Sequence, residues 1–171
     1  IYEVPLLLHE EKLDELVCER LGLSCGKSDL SQWEQIVYNL KNPQTEVHIT
    51  VVGKYTEQQD AYISITESFI HAGIAHRAKV RLNWVSAEEL NEKNVKEKIG
   101  KTSGILVPGG FGSRGIEGKI TAVRYARENK IPFFGICLGM QMAVIEYARN
   151  VLGMKGAHTS EVDADSPYKV I

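Results

Sequence analysis

Two hydrophobic periods alternate along this chain, and their order predicts its layers. Residues 46–52 are β-branched and close at Gly53, residues 78–85 set Val80, Leu82 and Trp84 on one face, and short apolar runs recur at 104–108 and 131–136. Each has the length and composition of a strand. Between them the apolar positions fall at helical spacing. Asp60 stands where it can cap a helix carrying Tyr62, Ile65 and Phe69 with Gly73 as terminator, Ser86 to Glu89 has the spacing of a capping box opening a charged helix, and 119–129 reads as a further helix.

Strands and helices alternating at crossover spacing predict α/β architecture: an open, mostly parallel, doubly wound sheet flanked by helices. Two helical stretches precede it. Leu13, Leu16, Val17 and Leu21 form one stripe with Gly22 as its stop; Ser31 to Glu34 has capping-box spacing before Trp33, Ile36, Val37 and Leu40, and Asn42-Pro43 ends that helix. Stripes without a sheet of their own pack on a neighbouring domain, so this region reads as a connector. Residues 23–29 read as a loop in which Cys25 is incidental. Residues 1–8 are apolar and begin without a methionine or a polar lead-in, which makes the N-terminus look internal.

Composition narrows the classes of function. The 171 residues are 43% hydrophobic and 25% charged, material for one ordinary core. A net charge of −2 and a pI near 6.2 give no basic field, so neither nucleic acid nor an acidic membrane surface is an expected partner. No run approaches the ~20 apolar residues of a membrane span. Cys18, Cys25 and Cys137 have no metal-ligand spacing, so no metal is expected. Their odd number without a secretory leader argues for a reducing cytosol and a cytoplasmic location.

The chemistry gathers at two strand ends. Cys137 follows the last apolar run inside Gly135-Ile-Cys-Leu-Gly139 and precedes a helical stretch. A strand that turns at once into a helix needs glycines where backbones pass closely, and such an elbow lifts its central side chain out of the sheet. The amino end of the helix favours a thiolate there. The competing reading is a buried, inert cysteine. At the other strand end, residues 108–118 hold five glycines around Phe111, Ser113, Arg114 and Glu117. The run fits neither a phosphate loop nor a dinucleotide fingerprint. Backbone N–H groups of Gly110 and of Leu138 are the candidate donors to an oxyanion formed at Cys137; a glycine loop without a role is the alternative.

These residues carry a resemblance. Gly-Ile-Cys-Leu-Gly-Met-Gln at 135–141 resembles the nucleophile motif of class I glutamine amidotransferases, and Arg-Gly-Ile-Glu-Gly at 114–118 is similar to the lid of the CTP synthase family among them. Residues 1–8, Val52 to Tyr55 and Asp60 to Tyr62 are similar to the same family. The resemblance implies a tail of a synthetase domain at 1–21, a linker at 22–45 and a glutamine amidotransferase domain at 46–171. It implies Cys137 as nucleophile, Gly110 and Leu138 at the oxyanion, and Gly110, Leu138, Gly139, Met140, Gln141 and Glu161 around bound glutamine. Read from the residues alone, Glu161 could pair with the substrate ammonium or simply be solvated. Arg114, Gly115 and Glu117 are assigned to a lid involved in activation by GTP. The complete enzyme is implied to use ATP and Mg2+ to aminate UTP in its synthetase domain and to form a homo-oligomer, a tetramer.

One part of the family pattern is missing. The histidine and glutamate that complete such sites come well after the nucleophile, and His158 is the single histidine beyond Cys137, in a segment that reads as loop. A truncated amidotransferase domain, crippled on its own, is therefore expected. A non-catalytic glutamine-binding or regulatory domain and another elbow-type cysteine hydrolase are the alternatives.

Overall fold

In the computed structural model, which describes residues 1–24, 26–54 and 59–171, strands and helices alternate after residue 44 in the expected order. Cys25 and Tyr55 lie outside the described residues. Strands β1 (Thr45–Gly53), β2 (Ala78–Ser86), β3 (Gly104–Val107) and β4 (Phe133–Gly135) form one sheet in the order β2-β1-β3-β4. β3 runs parallel to β1, with Ile49 opposite Gly104 and Val51 opposite Leu106, and parallel to β4, with Ile105 opposite Phe133 and Val107 opposite Gly135. The strand order reverses between β1 and β3. The carboxyl ends beside such a reversal, here Gly53 and Val107, are where open α/β sheets place their ligands.

The spatial grouping of the chain gives two units, Ile1–Glu46 with Glu67–Lys79 and Val47–Thr66 with Val80–Ile171. The second holds the sheet core. Val51, Val52 and Val107 are wholly buried, which is why β1 and β3 read as unbroken apolar runs. Helices α5 (Val95–Ile99) and α6 (Ile116–Glu128) pack on the sheet through Val52, Ile99, Ile105, Ala122 and Ala126. Helix α7 (Leu138–Asn150) lies beside α6 through Ile120, Val123, Met142 and Ile145. Between these helices Arg127 grips the buried Glu146 carboxylate, Nη2 to Oε1 at 2.8 Å and Nε to Oε2 at 3.0 Å, and Asn150 Nδ2 donates to Oε1 at 3.1 Å. A desolvated carboxylate is tolerable only with its oxygens satisfied in this way.

In the first unit, His9 of α1 (Val4–Glu10) meets Asp14 of α2 (Leu13–Arg20) at 2.7 Å, and Tyr2, just before α1, is tied to α3 (Ser31–Lys41) and to the helix carrying Glu67 and His71. The Tyr2 hydroxyl donates to Glu67 at 2.6 Å, its carbonyl accepts from Trp33 Nε1 at 2.6 Å, and its ring meets His71 edge-on at 5.5 Å. Burial, and then the Glu67 bond, push the phenol up to about 12. Helices α1 and α2 bury none of their residues, so Leu7, Leu16 and Val17 remain exposed. Cys18 is disulfide-bonded, which departs from the reduced set of thiols expected from the sequence.

Several local expectations shift for identifiable reasons. Residues 4–10 are helical, and Lys12 at φ 58 separates α1 from α2. Ser31 is already inside α3, behind Leu30 at the N-cap with no side-chain cap bond, and its N–H is taken by Asp29 Oδ1 at 3.0 Å. No helix opens at Ser86, because Ala87 N–H is committed to Gly53 O at 2.8 Å as an extension of the strand pairing. Gly73 does not stop α4 (Ile63–His76); it is buried within it, and Arg77 at φ 50 follows the end. Strand β4 starts only at Phe133, since Pro132 has no N–H to give and Ile131 N–H bonds back to Ala126 O at 2.9 Å.

Two substitutions test this packing by urea unfolding. In a free helix Gly118→Ala would add about 1 kcal/mol, but here its Cβ would stand 1.9 Å from Ala87 O, so a lowered midpoint is expected. Arg127→Ala strands the Glu146 carboxylate and lowers stability by about 3 kcal/mol; an unchanged midpoint would contradict the buried pair.

Candidate active site

Two residues, Ile136 and Cys137, make the reversal from β4 into α7. Ile136 N–H donates to Val107 O at 3.0 Å, holding the turn to β3, and Gly139 N–H returns to Ile136 O at 2.9 Å. Between those two bonds Cys137 takes φ 52 and ψ −110, a conformation that L-residues rarely adopt. Flanking side chains are excluded. A Cβ on Gly135 would lie 2.5 Å from the Gly139 carbonyl carbon, and one on Gly139 would lie 2.0 Å from Val107 O. Cys137 is thus a free, exposed thiol at the N-cap of α7, with Leu138 and Gly139 buried behind it.

The glycine loop after β3 comes to the same place. A Cβ on Gly109 would stand 3.4 Å from Cys137 Cβ and 4.0 Å from Sγ, and one on Gly110 would stand 3.9 Å from Leu138 Cδ2. Among the described residues neither Gly110 N–H nor Leu138 N–H has an acceptor. Two unspent donors beside an exposed thiol are what acyl transfer requires of an oxyanion site. Gln141 N–H donates to Cys137 O at 3.2 Å, while among the described residues its buried Oε1 has no partner and can accept from a ligand N–H. Met140 is exposed on the next position of the helix.

The remaining candidates are spread more widely. Gly115 is the N-cap of α6 at φ 74, where a side chain would be strained and its Cβ would stand 3.0 Å from Ala87 Cβ. Glu117 receives Arg149 Nη1 at 2.9 and 3.1 Å, and Arg149 Nε donates to Ala157 O at 2.7 Å, so this carboxylate is tied to the far end of α7. Arg114 is exposed and 3.5 Å from Glu88, a pair worth under about 1 kcal/mol. Glu161 is exposed in the turn after α7, where its N–H reaches Thr159 Oγ1 at 3.3 Å. Among the described residues no bond or ion pair joins its carboxylate to the elbow. His158 Nδ1 accepts Thr159 N–H at 2.9 Å, which occupies that nitrogen.

Two lysines that sequence reasoning passed over join the glycine loop. Lys54, directly after β1, donates from Nζ to Phe111 O at 3.1 Å. Lys119, in the first turns of α6, is 1% exposed, and its Nζ lies 3.6 Å from the place of a Gly110 Cβ. Its signal was available: it sits in the stripe of Ile116, Ile120 and Val123, where an apolar residue is due. Among the described residues no group of His, Cys, Asp and Glu could hold a metal ion, and no helix is long and apolar enough to cross a membrane.

Comparison with known proteins gives a consistent set of relatives. Residues 57–169 match the family Glutamine amidotransferase class-I. The chain is 56% identical over all 171 residues to a CTP synthase of Bacillus velezensis and 58% identical to one of Clostridium acetobutylicum, covering 32% of each relative. It therefore spans about a third of the curated relatives it matches. A solved Trypanosoma brucei CTPS glutaminase domain with bound acivicin matches with a TM-score of 0.67 and 42% identity, over 72% of this chain and 48% of that one. The family match runs through the glycine loop, the elbow and the exposed cysteine between them, and this chain belongs to the class I glutamine amidotransferases.

Proposed function

We propose that this chain is the glutamine-hydrolysing part of a CTP synthase and that Cys137 is its nucleophile. The observation that carries the reading is the exposed thiol in a strained elbow, with unspent N–H donors of Gly110 and Leu138 beside it. The thiolate adds to the side-chain carbonyl carbon of glutamine, and the carbonyl electron pair moves onto oxygen, where the two N–H groups meet it. As the tetrahedral centre collapses the C–N bond breaks, the nitrogen takes a proton, and ammonia leaves. Water then adds to the thioester and displaces Cys137, releasing glutamate. Gly139, Met140, Gln141 and Glu161 complete the substrate's surroundings; the unpartnered Gln141 Oε1 supports a place for a substrate N–H.

Protons must leave the thiol and reach the departing nitrogen. With His158 Nδ1 engaged by Thr159, we place the base and its glutamate in a part of the longer protein that this chain does not span. The 171 residues alone then turn over slowly. In that longer protein the ammonia aminates UTP in a synthetase domain that uses ATP and Mg2+, and residues 1–21 belong to that domain, joined through a linker at 22–45. The exposed apolar residues of α1 and α2 support this. The same reading gives a cytoplasmic homotetramer, activated by GTP through Arg114, Gly115 and Glu117.

Ammonia release from glutamine by the full-length protein tests the reading: Cys137→Ser should lower it at least about a thousandfold. Retained release would remove Cys137 from the chemistry. A GTP titration tests the lid, because among the described residues Arg114 is held by one exposed pair and can exchange partners. Arg114→Ala should weaken activation while leaving release without GTP within about twofold, and full activation in that variant would rule the lid assignment out.

A further inference from the structure

Lys119 is a residue that folding alone would not choose. Its side chain is 1% exposed, and among the described residues its ammonium has neither a carboxylate within ion-pair reach nor a hydrogen-bond acceptor. Burial, and then the neighbouring Lys54 cation, hold it below the usual lysine range. It also lies near the amino end of α6, where the helix dipole disfavours positive charge. A methionine of similar length would fill the same space without these penalties. Unfavourable local choices of this kind gather at functional sites.

The ammonium lies beside the glycine loop. Nζ lies 3.6 Å from the place of a Gly110 Cβ, and that place is 3.9 Å from Leu138 Cδ2. The matching place on Gly109 is 4.0 Å from Cys137 Sγ. The ammonium therefore lies at the open side of Gly110, and the thiol at that of Gly109. Lys54 holds the loop one residue further on, at Phe111 O. We infer that Lys119 is a positioning residue for the oxyanion: its ammonium, at the open side of Gly110, keeps positive potential beside the glycine loop that carries the Gly110 N–H.

Such a charge acts most strongly on the negative charge that develops in the tetrahedral species. Neutral glutamine amide in the ground state gains little from it, so the effect falls on kcat and leaves KM nearly unchanged. The inference rests on glutamine hydrolysis at Cys137.

The test is steady-state glutamine hydrolysis and thermal unfolding of the full-length protein, comparing the parent with Cys137→Ala, Lys119→Met and Lys119→Gln. Both neutral Lys119 variants should lose about tenfold or more in kcat with KM within about twofold, while the unfolding temperature of Lys119→Met stays level or rises. If Lys119→Met does not fold, Lys119→Gln is read in its place. Parental kcat in the Lys119 variants, or a loss of kcat that follows a loss of stability, overturns the inference while leaving Cys137 as nucleophile. A parent without Cys137-dependent hydrolysis overturns the reading of the site itself, and this inference with it.

Discussion

The contact on which the rest depends is a backbone passing another backbone with no side chain between them. Val107 O, at the end of β3, accepts Ile136 N–H and lies so close to Gly139 that a Cβ there would come within 2.0 Å of it. That contact sets how far α7 begins from the sheet, and the short distance forces Cys137 to φ 52. A residue in that conformation turns its side chain away from the packed interior, so the strain and the exposed thiol have one origin. The loop after β3 comes beside the sulfur, and among the described residues the first N–H of α7 has no acceptor.

Two kinds of unfavourable feature flank one glycine loop: a strained cysteine and a buried lysine in the first turns of a helix. Stability has to come from elsewhere. The wholly buried Val51, Val52 and Val107, the α6 and α7 faces, and the Arg127–Glu146 pair supply it. This division is physically reasonable, because donors that stabilise a developing charge work only if they are already in place when it forms. Rigid packing behind the loop provides that condition, while the exposed Arg114 and Glu88 pair in front can separate at little energetic expense.

The parts of the fold legible in the sequence are those set by hydrophobic period. β1, β2 and β3 fall where the alternating or unbroken apolar runs place them, and the Gly-Ile-Cys-Leu-Gly frame marks the elbow in the sequence itself. Local signals failed where a distant partner competed for the same backbone. Ser86 and Glu89 have capping spacing, yet Ala87 N–H is taken by Gly53; Gly73 looks like a stop, yet it is buried inside α4. Glu117 was readable as part of a loop but not as the partner of Arg149, thirty-two positions away. Lys119 was hidden by the ordinary expectation that lysines face water, although its place in an apolar stripe argued otherwise.

The central claim is that the elbow makes Cys137 a nucleophile toward the glutamine side chain. Acid quenching of the full-length protein during turnover, followed by peptide mass spectrometry, observes that step directly. The account predicts a γ-glutamyl thioester on the peptide containing Cys137, absent when glutamine is omitted and formed on no other cysteine. Turnover with no adduct on Cys137, or with the adduct on another residue, would contradict it.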